Sequence, residues 1–144
     1  MPLLENRYRF ADLGLLLLRL GLGVMLVAHG YPKLMSGPEK WAALGGEMRH
    51  FGITFAPVAW GLAAAIAETI GGQLLVLGLL FRWACGALLL TMVVAAASHI
   101  GTGEGFNAYS HAVEIGFVLL GLLFIGPGKY SVDQQVFPPS RRRY

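Results

Sequence analysis

Charge is scarce in this chain. Only 13% of its 144 residues are Asp, Glu, Lys or Arg, while 56% are hydrophobic; a soluble domain ordinarily carries about 25% charged residues. An ordinary water-facing surface is therefore excluded. Cysteine is scarcer still, and the single Cys85 rules out an intrachain disulfide or a CxxC redox pair. Long polar stretches are missing as well. The widest polar connection, Met35 to Thr54, is far shorter than the ~50 residues that a soluble catalytic domain needs. There is no GxSxG, no Walker A sequence and no GxGxxG ahead of a helix, so hydrolase, nucleotide and dinucleotide readings have no residues to stand on. Without an internal repeat or linker, residues 1–144 read as one domain.

What the chain does have is long apolar runs. Four of them, at about 13–34, 55–80, 83–101 and 110–126, each approach the ~20 residues that carry a helix across ~30 Å of hydrocarbon. The expected fold class is all-α, a transmembrane four-helix bundle. In the first outer connection, Trp41, Leu44, Met48 and Phe51 recur at helical spacing, which predicts a short amphipathic segment lying on the membrane surface. Arg7, Arg9, Arg82, Lys129, Arg141, Arg142 and Arg143 fall on one side of the spans, and Lys33, Lys40 and Arg49 on the other. By the positive-inside rule both termini face the cytoplasm of a bacterial-type inner membrane. The net charge of +3 fits inner span ends and anionic lipid headgroups, so lipids rather than nucleic acid are the expected surroundings.

The apolar spans contain a few ionisable residues, and these are costly in lipid unless they face the bundle interior and find partners. They are Arg19, His29 and Lys33 in the first span, Glu68 in the second, His99 in the third, and His111 with Glu114 in the fourth. His29 and Lys33 are four apart and His111 and Glu114 three apart, so each pair shares a helix face. Depth places most of them in the outer half of the bundle with Glu68 near its middle. Two readings of Arg19 and Glu68 stand level: a structural ion pair that fixes helix register, or a functional pair. Lys33 is expected to snorkel to the headgroups. His50, in the outer connection, is given no role. Small residues such as Ala64, Ala65, Gly71 and Gly72 are expected to let neighbouring helices close in around Glu68. The three span histidines come singly from three helices without an HxxxH or HExxH pair, which gives no metal signature.

Taken in order, AHGYPKLM, AIAETIGGQLLVLGLLFRWA, HIGTGEGF and EIGFVLLGLLFIGPGKYSVD resemble the DoxX family of small four-helix membrane proteins. The likeness runs from about Leu13 to Asp133. Its pattern falls on His29, Gly30, Lys33 and Leu34, on Glu68, Gly71 and Gly72, and on Glu114; Ser110 and His111 depart from it. The resemblance implies a membrane protein linked to redox chemistry, with relatives described as subunits of a thiosulfate:quinone oxidoreductase and as partners in oxidative-stress complexes.

Three functions fit. The first is a membrane subunit of a quinone-linked oxidoreductase: a quinone takes up two protons with two electrons, so its site needs titratable groups in an apolar slot. Glu68, Glu114 and His111 would handle protons, while His29, Lys33, Arg19 and His99 would bind the ligand. Quinone is then the expected cofactor, and a protein partner or a homo-oligomer is expected. The second is a non-catalytic scaffold or accessory protein. The third, ranked last, is a small transporter or lipid-binding protein.

Overall fold

The structure is a computed structural model and describes residues 10–137. Arg7, Arg9 and Arg141 to Arg143, on which much of the orientation reading rests, lie outside the described residues. Six α-helices follow one another: α1 (Ala11–Leu34), α2 (Pro38–Gly46), α3 (Pro57–Leu77), α4 (Phe81–Gly101), α5 (Phe106–Ile125) and α6 (Val132–Val136). A 3-10 turn over Glu47–Phe51 joins α2 to the loop before α3. Helices α1, α3, α4 and α5 are long and apolar enough to cross a membrane, as the apolar runs predict.

Boundaries differ from expectation where local chemistry overrides hydropathy. Helix α3 starts at Pro57, whose fixed φ suits the first turn, and stops before Gly78, which adopts φ 65°. A side chain at Gly78 would also run into Arg19 and Ser131. Helix α5 begins at Phe106, after the extended Gly105.

The register of α1 against α3 is set by glycines. A Cβ on Gly23 would lie 2.7 Å from the Gly72 carbonyl oxygen, one on Gly72 2.9 Å from the Gly23 carbonyl oxygen, and one on Gly30 2.7 Å from the Glu68 Cβ. The two backbones therefore meet along a seam that no larger residue can enter, which is how helices pack closely in lipid. In this register α1 is shifted so that its C-terminal end reaches only the middle of α3. The first half of α3 is covered instead by α2, whose Gly45 packs on the backbone of Pro57 and Gly61, while Gly61 packs on the backbone of Trp41. The amphipathic segment is thus docked on the bundle, with Trp41, Leu44 and Met48 half-buried. Helix α4 runs back beside α3 and packs on α5. Leu26, Leu75, Leu88 and Leu119, one from each long helix, lie in a common core with Phe81 and Leu122.

The end of the bundle opposite α2 is tied by the segment GPGKYSVD. Both Asp133 carboxylate oxygens accept backbone N–H groups at the start of α4, from Leu80 at 2.8 Å and Phe81 at 2.9 Å, while the Asp133 N–H donates to the Gly78 carbonyl. This double acceptance holds Leu80 at φ 46°, a left-handed conformation that a leucine rarely adopts. Asp12 of α1 accepts the Lys129 N–H at 2.8 Å. Arg19, only 1% exposed, donates from Nη2 to the Tyr130 carbonyl at 2.6 Å. Arg19 does not pair with Glu68: it lies level with Gly78, ten residues further along α3 and about 15 Å away at 1.5 Å per residue. Replacing Asp133 by Ala removes both capping bonds and is expected to cost about 1–2 kcal/mol, the usual range for a lost cap. Thermal unfolding in detergent should show a lowered Tm, and an unchanged Tm would mean that the strap holds nothing.

Candidate functional site

Lys33 and Glu68 form a two-pronged ion pair. The Lys33 Nζ donates to Glu68 Oε1 at 2.7 Å and Oε2 at 2.6 Å. Lys33 does not reach out of the bundle, because the glycine register sets the end of α1 beside the middle of α3. Glu68 is eleven residues into α3, about 16 Å from its start, and its side chain is 6% exposed against 40% for Lys33. The Lys33 backbone is fixed too: its carbonyl accepts from Ser36 Oγ at 2.6 Å and from Trp41 Nε1 at 2.9 Å. An ammonium has three N–H donors, and two are spent on Glu68. One remains for a ligand.

A cavity of about 480 Å³ opens beside this pair, between α2, α3 and α4, within the range of small-molecule sites. Small side chains make the room: Ala63, Ala64 and Ala67 on α3 face Ala87 and Ala95 on α4. Around Glu68 the small residues divide their work. Gly72 and Gly30 bring α1 close, whereas Ala64, expected to do the same, lines the void. Leu90 and Val94 add an apolar wall, and Trp60, Thr91, Ser98 and His99 supply polar groups. The Trp60 Nε1 is buried without a hydrogen-bond partner among the described residues, and a buried indole N–H ordinarily has one. Of the polar groups in the lining, Lys33 keeps one N–H that Glu68 does not take, while the Trp60 Nε1 is itself enclosed and without a partner among the described residues.

The 3-10 turn closes the cavity toward α4. Glu47 Oε2 accepts from Ser98 Oγ at 2.6 Å and lies 3.2 Å from His50 Nε2. The Ser98 hydrogen bond holds the Glu47 carboxyl below its ordinary value of 4.5; partial burial opposes this, and Arg49 and His50 add to it. His50, which the sequence left without a role, packs its ring where a side chain on Gly101 would otherwise go. At the cavity's edge His99 Nδ1 contacts Glu104 Oε2 at 2.8 Å. That bond, with one from Thr102, holds the Glu104 carboxyl low.

The other residues singled out in the sequence are elsewhere. His29 and His111 meet edge-to-face across α1 and α5 with ring centroids 6.4 Å apart. Both are exposed, and so is Glu114. None of the three lines the cavity. The expected ring of polar residues above Glu68 thus resolves into two groups on different faces, with Arg19 apart from both. Trp60, Glu47 and Ser98 were missed. Trp60 did carry a signal: at four-residue steps, Trp60, Ala64 and Glu68 share one face of α3.

Comparison with known proteins adds a family. The family model described as DoxX matches residues 14–101. An uncharacterized membrane protein of Mycobacterium tuberculosis is 32% identical over 133 residues, covering 83% of this chain and 78% of that protein. No solved structure matches the chain.

Two outcomes are expected. Lys33→Met strands an ionised Glu68 and should destabilise the protein by about 3 kcal/mol, the low end of the range for a broken buried pair; Lys33→Met with Glu68→Met should recover most of that loss in the same unfolding assay. Glu47 gives a pH dependence. A carboxyl whose pKa is lowered on folding adds stability above 4.5 that disappears as pH falls through the folded value, so Tm should drop as the pH is taken below 4.5. Ser98→Ala should make that drop shallower.

Proposed function

The chain belongs to the DoxX family of membrane proteins, and from that premise we propose that it is a quinone-binding subunit of a redox system in a bacterial-type inner membrane, with both termini in the cytoplasm. The observation that carries this reading is the cavity beside Lys33 and Glu68, apolar in its walls, with Trp60 in its lining and one Lys33 N–H that Glu68 does not take.

A quinone brings two carbonyl acceptors on a flat apolar ring and becomes a quinol by taking up two electrons and two protons. Lys33 would donate its third N–H to one acceptor, and Trp60 would supply its Nε1–H to another once its ring turned toward the cavity. Glu68 keeps Lys33 ionised and aimed. In the low-dielectric cavity Lys33 would stabilise negative charge on a bound oxygen and hold a proton at its Nζ for that position. His99, bonded to Glu104 at the cavity's edge, links the interior to water for proton replacement. The two electrons come from a donor outside this chain, of the thiol or reduced-sulfur class or held by a partner subunit. Glu114 and His111 stand outside this proton route.

A second reading, a non-catalytic scaffold, draws support from the glycine seam and the two-pronged ion pair, which would fix helix register without any ligand. Solvent extraction of protein purified from membranes is expected to release quinone. Trp60→Phe should weaken quinone binding about three- to tenfold, the worth of one hydrogen bond, without altering Tm. Glu68→Gln should stay folded and lose quinol formation with a thiol donor. A protein that carries no quinone and reduces none, with Glu68→Gln lowering only Tm, would select the scaffold.

A further inference from the structure

Glu114 is a carboxylate with nothing to hold it. It lies eight residues into α5, about 12 Å from the helix start, on the exposed side, and the described residues give it no hydrogen bond or ion pair. Acyl chains cannot solvate it, and charged residues at such depth almost always face protein or a water-filled space. His111, one turn earlier on the same face, is also exposed and meets the ring of His29 edge-to-face. Lys33, the nearest cation in sequence to His29, is already engaged by Glu68.

We propose that the α1/α5 face is the interface with a second copy of this chain, with Glu114 of each copy paired to His111 of the other. Two copies in one membrane run parallel about an axis normal to it, so the same patch meets itself and each contact occurs twice. Residues 111 and 114 then differ in depth by about 4.5 Å, a gap that a glutamate side chain spans. Charge complementarity selects this occupant: the face holds an acid with no hydrogen bond or ion pair among the described residues and an imidazole that meets the His29 ring but no acid there, at depths a symmetric copy matches. Gly121, two turns beyond Glu114 on the same stripe, has nothing within 4 Å of where a Cβ would stand, so a second α5 can approach closely there. The proposal uses none of the cavity residues and does not rest on the quinone reading.

The test exchanges the two residues in protein reconstituted in phospholipid vesicles, with dimer fraction read by single-molecule photobleaching. Glu114→His sets histidines opposite one another and should lower the dimer fraction at least tenfold, as should His111→Glu; the double exchange should restore it. Gly121→Cys in a Cys85→Ala background should cross-link on oxidation, while Val93→Cys, exposed on α4, should not. Glu114→Gln, which keeps the shape and loses the charge, should fold with the parent's Tm and dimerise less. Wild-type protein that stays monomeric at every protein-to-lipid ratio overturns the proposal, as it would if a different membrane protein covers this face. A double exchange that fails to restore dimers, or cross-linking at Val93 and not at Gly121, overturns it equally.

Discussion

The contact between Lys33 Nζ and both oxygens of Glu68 governs the arrangement around it. A lysine at the end of a span would ordinarily extend to the headgroups. Here the glycine seam brings α1 alongside the middle of α3, and the half-exposed ammonium meets a buried carboxylate. Each is tolerable only because of the other. The pair also requires that something other than α1 cover the first half of α3. That is the place α2 takes, and its Trp41 donates back to the Lys33 carbonyl. Seam, ion pair and docked helix are therefore one construction.

The same construction produces the cavity. If α1 had continued along α3, its side chains would have closed over Ala63, Ala64 and Ala67. Helix α2 is short and meets α3 at Gly45 and Gly61, so it roofs the space without filling it. The 3-10 turn reaches across to α4 through Glu47 and Ser98. The roof is thus fastened to one wall by backbone packing and to the other by a hydrogen-bonded carboxylate.

Four spans, the amphipathic segment and the inward face of Glu68 were legible in the sequence, because hydropathy and helical period are local properties. Partner choice was not. Arg19 and Lys33 both lie on α1, which packs on the helix of Glu68, and both carry the right charge; what separates them is a register decided by Gly23, Gly30 and Gly72 together. Glycine spacing indicates that helices approach, but not how far one slides along the other. Trp60 illustrates a second limit. Its place on the Glu68 face follows from four-residue steps, while its lack of a partner depends on alanines contributed by α4. The C-terminal segment shows a third: GPGKYSVD reads as a helix stop, yet its Asp133 acts on α4, more than fifty positions earlier.

The polar residues of the spans thus have three separate destinations, and the family relationship does not bear on them equally. Lys33, Trp60, Glu68, Ser98 and His99 all lie within the matched residues 14–101, which end where α4 ends. His111 and Glu114 lie beyond that limit, on a helix that completes the core through Leu119 and Leu122 but contributes nothing to the cavity. The cavity built from α1 to α4 and the exposed face of α5 that carries His111 and Glu114 can therefore change independently. The strap from Tyr130 to Asp133, by contrast, touches α1, α3 and α4 at once, so the segment after α5 is constrained by the part of the bundle that holds the cavity even though it lies outside the matched region.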